Sequence, residues 1–215
     1  MKYTTIIPAA GNSIRFGNKN KLKIKINGEM LIKHTIDLFN EDKECEKIIL
    51  VVKEDEFNFF KKIFYLKNKV IVIGQNTNSR SETVRFGLNY CKKSEYVMIH
   101  DGCRPFIESE LLDEIKRELN LHDAIIPILK ISDSIIQVKP NLAYLNRDEI
   151  FRVQTPQAFR TKILLDALNQ INDFNSFNDE FSQIIFINPK INYKLINGSN
   201  KNIKITYEDD LNYFE

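Results

Sequence analysis

The sequence predicts an α/β fold built on one open, mostly parallel sheet with helices on both faces. Three observations lead there. Short apolar, β-branched runs alternate with helix-spaced apolar segments, polar loops follow those runs, and 215 residues at 43% hydrophobic content can bury the core of a single domain, residues 1–215. Thr5–Pro8, Lys47–Val52, Val70–Ile73 and Tyr96–Ile99 read as buried parallel strands. Leu31–Phe39, Phe57–Phe64 and Thr83–Cys91 read as helices between them. Ligands of such sheets sit beyond the carboxyl ends of the strands, so the loops 8–17, 74–82 and 100–105 are expected to converge on one crevice.

Composition narrows the partners. Lys+Arg 31 against Asp+Glu 29 gives no reason to expect nucleic-acid or membrane binding, although local basic patches can still hold small anions. Cys45, Cys91 and Cys103 have neither metal-type spacing nor the even count of a disulfide framework, which predicts a cytoplasmic protein. No stretch reaches the ~18 apolar residues of a membrane span, and the apolar run after Lys2 and Tyr3 is too short for a signal peptide.

The first loop lies in TTIIPAAGNSIRFGNKNKLKIK, Thr4–Lys25. Close approach to a nucleoside triphosphate requires bare backbone N–H groups and fixed cations. Ala9, Ala10 and Gly11 offer the first; Arg15, Lys19, Lys21, Lys23 and Lys25 offer the second. The segment is not a Walker loop, because Gly11 and Gly17 are followed by Asn18 and Lys19, and it is not a dinucleotide fingerprint, because position 13 is Ser. On these residues alone, a phosphate cradle and an ordinary strand-to-helix turn with a solvated basic flank both stay open.

In the second loop, Ser79 and Glu82 have the spacing of a capping box that would start the Thr83–Tyr90 helix. Arg80 and Thr83 then place a guanidinium and a hydroxyl at the ligand edge. In the third loop a buried strand runs into Asp101, with Arg104 close behind. Asp101 is suited to Mg²⁺ beside phosphates, the alternative being a surface pair with Arg104. His100, at the strand end, reads as a structural hydrogen-bonding residue. Further on, Ile131–Val138 and Asn146–Gln154 flank PNLAYL and read as two extended segments of an arm, roughly residues 135–152. Thr155 is expected in a fixed turn before Pro156, and Lys204 on a β-like segment before a final helix. Asn172–Asn178 is the most loop-like stretch.

The motifs PAAGNSIRFG, Lys21 in KLKIKI, SRSETVRFGL, HDGCRPF, Asp133–Ser134, NRDEIFRVQTPQAF and NIKIT followed by EDL occur in one order over almost the whole chain. Together they closely resemble the cytidylyltransferases that act on 2-C-methyl-D-erythritol 4-phosphate in the non-mevalonate isoprenoid pathway. The resemblance implies a Rossmann-like nucleotidyltransferase fold with a protruding β-arm, CTP as co-substrate, Mg²⁺ as cofactor, a sugar-alcohol phosphate as acceptor, and a homodimer formed through the arm. It implies that Ala9, Ala10, Gly11 and Asn12 contact the triphosphate and base, and that Arg15 and Lys21 stabilise the transition state. Arg80 and Thr83 would lie near the nucleotide and Asp101 near ribose and metal. Arg147 and Lys204 would position the sugar phosphate, with Arg104, Ser134 and Thr155 as further substrate contacts; Ser134 and Arg147 would serve the neighbouring subunit's site.

The implied reaction is in-line attack of the acceptor phosphate on the α-phosphorus of CTP, giving 4-diphosphocytidyl-2-C-methyl-D-erythritol and pyrophosphate. A ribitol-5-phosphate cytidylyltransferase is the alternative, and a nucleotide-binding protein without catalysis is a third reading. The chain departs from the family pattern at Ser13 (usually Gly), Asn20 (usually Pro), Gly102–Cys103 (usually an Ala pair), Asn76–Thr77 (usually two glycines, unless Gly74 takes over) and Lys201 (usually acidic).

Overall fold

The computed structural model describes residues 1–17 and 20–214, so Lys19 of the basic flank lies outside the described residues. The amino-terminal half alternates strand and helix. It runs through β1 (Tyr3–Ala9), a short hairpin of β2 (Lys25–Ile26) and β3 (Glu29–Met30), α1 (Leu31–Glu41), β4 (Cys45–Val52), α2 (Phe57–Ile63), β5 (Val70–Gly74), α3 (Arg80–Leu88) and β6 (Tyr96–Ile99). Then come α4 (Ser109–Leu119), β7 (Ala124–Lys130), β8 (Ile135–Gln137), β9 (Ala143–Leu145), β10 (Phe151–Val153) and β11 (Gln157–Arg160). The chain finishes with α5 (Thr161–Leu168), α6 (Glu180–Ile187), β12 (Tyr193–Asn197) and a 3₁₀ segment, Glu208–Phe214.

The main sheet has the order β10-β7-β11-β6-β1-β4-β5, with β12 on the other edge of β7. β6, β1, β4 and β5 are parallel neighbours, whereas β11 is antiparallel to both β6 and β7. Successive side chains of a strand point to opposite faces, so the unbroken apolar runs of β1 and β4 feed two cores. Ile7, Ile48 and Leu50 pack with Leu31, Ile36 and Phe39 of α1 and Ile115 of α4. Ile6, Ile49 and Val51 pack on the other face with Val84 and Leu88 of α3, Leu164 of α5 and Ile184 of α6. Each such buried aliphatic side chain stabilises the fold by about 1.5–3 kcal/mol. Gly87 lets α3 lie close on this sheet, because a Cβ there would fall 2.8 Å from Ile6 Cγ2.

Three expectations are corrected. α3 begins at Arg80 instead of Thr83, because Ser79 Oγ accepts the Glu82 N–H at 3.2 Å and caps the helix there. The Glu82 carboxylate accepts the Asn78 N–H at 2.7 Å, so the box does not close on Ser79 itself. In the arm, β8 pairs with β9 from Ile135↔Leu145 to Gln137↔Ala143, so the second strand falls within the expected connection. Asn146–Gln154 instead contains a 3₁₀ turn, Arg147–Glu149, capped by Asn146, followed by β10, which joins the main sheet through β7. Lys204 is not on a strand. Ile205 N–H donates to Cys103 O at 2.9 Å, a docking bond to the third loop and not part of a ladder.

Candidate active site

β1 delivers the first loop between β4 and β6 at the carboxyl edge of the sheet. The chain turns there at Ser13, whose φ of 50° is left-handed, and again at Gly17, φ 71°. Phe16 is buried and anchors the loop, while a side chain at Gly11 would meet no protein atom within 4 Å, leaving open space beside its backbone. Asn20 does the work of a cap: its Oδ1 accepts the Leu22 N–H at 3.0 Å and its Nδ2 donates to Glu56 at 2.8 Å. That fixes the backbone of Lys21, and Lys21 Nζ donates to Ile205 O at 2.8 Å, beside Lys204.

A cavity of about 530 Å³ opens over this loop. Ala9, Ala10, Gly11, Asn12, Arg15, Lys21, Arg80, Thr83, Asp101 and Lys204 all line it, so the three loops converge as expected. Arg15 stands exposed at its rim. The Thr83 hydroxyl donates to Ser79 O at 3.0 Å and so accepts from Thr77, 2.6 Å away. Thr77 also faces the cavity, and Asn76 flanks an adjoining hollow with Ala10, Asn12, Lys53 and Asp55. Gly74 ends β5 against Phe57 and lines neither of these two hollows.

A second cavity, about 590 Å³, shares Arg80, Asp101 and Lys204 with the first and adds Arg104 and Thr155. Asp101, at this junction, is ringed by cations. Oδ1 accepts from Arg80 Nε at 2.8 Å, while Oδ2 lies 2.8 Å from Lys204 Nζ and 3.6 Å from Arg104 Nε. Burial alone would raise the Asp101 carboxyl, but Arg80, Lys204 and Arg104 outweigh it and hold the group well below its ordinary value. The Asp101–Arg104 pair is thus a buried contact and not a surface one. Behind it, Asp101 N–H donates to Thr155 Oγ1 at 3.1 Å, and His100 Nε2 lies 2.9 Å from Arg104 O. A carbonyl can only accept, so neutral His100 carries its proton on Nε2 and Nδ1 accepts from the Thr155 hydroxyl at 3.0 Å. Burial pushes His100 down to about 4, in keeping with this neutral, structural role. Arg104 Nη1 is steadied by Asn202 O at 2.7 Å, and Asn202 Nδ2 donates to Thr155 O at 2.7 Å.

Ser134 and Arg147 are not brought to either cavity of their own chain. Both are exposed on the arm, where Arg147 Nη1 donates to Ser132 O at 2.9 Å. Lys201 is likewise outside, ion-paired with Glu108 at 2.6 Å. The sequence reading passed over Glu180, which grips Arg80, and over Asn178, Asp179 and Ser182 of the second cavity. One signal was available, since Asp179 and Ser182 have capping spacing and form a closed box at the start of α6.

Comparison with known proteins decides the family. A sequence model described as 2-C-methyl-D-erythritol 4-phosphate cytidylyltransferase matches residues 3–215. The chain belongs to that family. Among its relatives, the 2-C-methyl-D-erythritol 4-phosphate cytidylyltransferase of Bacillus cytotoxicus is 34% identical and that of Bacillus mycoides 33%, each over 97% of this chain and 94% of the relative. The crystal structure of 4-diphosphocytidyl-2C-methyl-D-erythritol synthase from Anaerococcus prevotii superposes with a TM-score of 0.86 at 27% identity, over 99% of this chain and 93% of that one. The Francisella tularensis 2-C-methyl-D-erythritol 4-phosphate cytidylyltransferase gives 0.83 at 28%, over 99% and 98%. The fold is therefore that of a cytidylyltransferase of this family, and the crevice at the carboxyl edge of the sheet is its candidate active site.

Proposed function

We propose that this family member joins CTP and 2-C-methyl-D-erythritol 4-phosphate to give 4-diphosphocytidyl-2-C-methyl-D-erythritol and pyrophosphate. The observation that carries the reading is the meeting of two cavities at Asp101, Arg80 and Lys204, with the first lined by small residues and cations. The triphosphate lies along Ala9–Asn12, with Arg15 and Lys21 beside it, and the acceptor phosphate enters from the second cavity past Arg104 and Thr155. An acceptor phosphate oxygen attacks the α-phosphorus of CTP, a new P–O bond forms, and the bond to the β-phosphate oxygen breaks to release pyrophosphate. No general base is needed, because the attacking phosphate is already ionised. Negative charge collects at the α-phosphoryl group, where Lys21 and Lys204 neutralise it and Arg15 closes over the leaving pyrophosphate.

Asp101 is the carboxylate that supports Mg²⁺ at this junction, and because its oxygens already accept from Arg80 and Lys204, the ion would draw most of its ligands from substrate phosphates and water. This ion binds through one or two carboxylates plus substrate phosphates, and Asp101 is a carboxylate held ionised at the junction. Asp101 would hold the ion, which supplies charge neutralisation to the triphosphate. The arm supports a homodimer: Val138, Leu142 and Tyr144 expose large apolar surface on it. In that assembly Ser134 and Arg147 reach the partner's second cavity, with Arg147 binding the acceptor phosphate. Three buried free thiols suit a reducing cytoplasm, where we place the reaction; no helix among the described residues is long and apolar enough to cross a membrane.

The test is substitution of the two lysines. Lys21→Ala and Lys204→Ala are each expected to lower kcat by about 10²–10³-fold, the range for removing one donor at a developing charge. Turnover should fall far more than fold stability, although each lysine also gives up a structural contact, Lys21 to Ile205 O and Lys204 to Asp101. Near-normal turnover in the folded variants overturns the assignment.

A further inference from the structure

α6 faces two ways. Its cap and first turn present Asp179, Phe181 and Ser182 to the second cavity, whereas Glu180 turns inward, is fully buried at 0% exposure and lines neither cavity. Both Glu180 oxygens accept from Arg80 Nη1, at 2.8 and 2.7 Å. Arg80 Nε is committed to Asp101 at 2.8 Å, and Nη2 is buried without a protein partner. The guanidinium is thus gripped at both ends, and it forms part of the wall of both cavities. Burial pushes the Glu180 carboxyl up from its ordinary value, which the Arg80 guanidinium opposes. A buried ion pair is a poor device for stability alone, because well-packed apolar side chains of similar volume serve as well or better. The same two helices already have a neutral tie one turn further on, where Gln183 Nε2 donates to Ser81 Oγ at 2.8 Å.

We infer that Glu180 is a positioning residue for nucleotide binding: it fixes the Arg80 guanidinium at the shared wall so that Arg80 and Asp101 meet CTP in one preset arrangement. The inference rests on the proposed use of CTP. It has a consequence that mere packing lacks. Glu180 sits on the helix that walls the acceptor cavity, yet its loss should be felt at the nucleotide.

Steady-state kinetics and calorimetric titration with CTP on Glu180→Gln, Glu180→Asp and Gln183→Leu test it. Glu180→Gln should raise the KM and Kd for CTP at least tenfold while the acceptor KM changes less than threefold; Glu180→Asp, which keeps the charge, should recover part of that loss. Gln183→Leu disturbs the same helix pair without touching the charge chain and should leave CTP affinity within about twofold of the parent. Should Glu180→Gln fail to fold, Glu180→Asp carries the test with a smaller rise in the CTP constants. Unchanged CTP constants in a folded Glu180 variant, a defect confined to the acceptor KM, or an equal defect in Gln183→Leu overturns the inference. Failure of the parent protein to bind or turn over CTP would overturn the functional reading instead.

Discussion

Ser13 holds the first loop in a left-handed conformation at φ 50°, a region that costs a non-glycine residue about 1–2 kcal/mol. The family's usual glycine at this position thus has a physical reason, and this chain tolerates the strain. Ser13→Gly should leave turnover intact and change stability by between 0 and about +1 kcal/mol, since relief of strain is partly offset by a more flexible unfolded chain. Thermal unfolding of the variant checks this, and a clear loss of stability would show that the serine side chain has a role of its own. That Arg15, Lys21 and Asp101 would face one crevice was legible because each stands at a fixed offset within a short motif. Glu180 was not, because its partner Arg80 is 100 residues away in the chain and only the packing of α6 on α3 brings them together. Asn20 was legible only as a departure from pattern; the structure shows its side chain capping the turn that carries Lys21.

Among elements, the parallel strands β1, β4 and β6 were readable because burial on both faces gives continuous apolar runs; β5 was readable from its β-branched residues, but it is the edge strand and, against the expectation of a buried one, leaves Ile71 exposed. β7 was not readable, and Pro127 in its middle is one reason. β11 pairs with Ala124 and Ile125 and β10 with residues 128–130, so Pro127 lies at the break between them, where a missing N–H matters least. Within the stretch expected to form an arm, the hairpin β8–β9 covers only its first part and β10 returns to the main sheet; which residues turn and which pair depends on where the chain leaves the sheet, and the local pattern of 131–154 carries no record of that. The arm's apolar face makes a prediction at this scale. Tyr144, at 78% exposure, is open in the single chain. On the proposed homodimer, in which the arm carries Arg147 to the neighbouring site, Tyr144→Asp should shift sedimentation toward a monomer, lower turnover at least tenfold and make the unfolding midpoint fall, since subunit association stabilises the folded chain by mass action. A dimer that survives with full activity would contradict the arm's part in assembly.

At the scale of the whole molecule, the candidate active site and a cluster of buried hydrogen bonds and ion pairs lie at opposite ends of β1. At the end away from the site, Asp42 accepts from Tyr3 Oη at 2.8 Å, from the Glu44 N–H at 2.8 Å and from Lys116 Nζ at 3.1 Å, tying β1 to α4. Burial tends to raise the Asp42 carboxyl, but these donors together hold it below its ordinary value. A depressed folded pKa means that the stabilisation is present above the unfolded value, about 3.9, and is lost as pH falls through the lower folded value. Asp42→Asn should therefore cost about 1–3 kcal/mol at pH 7, as for hydrogen bonds to a charged group, with the difference from the parent shrinking in acid as pH falls through the lowered folded value. Denaturant unfolding at pH 7 and in acid measures it, and a difference that does not depend on pH would assign the effect to packing.

The proposed function assigns a nucleoside triphosphate to the cavity on one side of Asp101 and a phosphate-bearing acceptor to the cavity on the other. Release of pyrophosphate, followed with CTP and either 2-C-methyl-D-erythritol 4-phosphate or ribitol 5-phosphate, tests it most directly. The account predicts rapid release with the methylerythritol phosphate and little with ribitol phosphate. Faster release with ribitol phosphate would reassign the acceptor, and release with neither would contradict the enzymatic reading altogether.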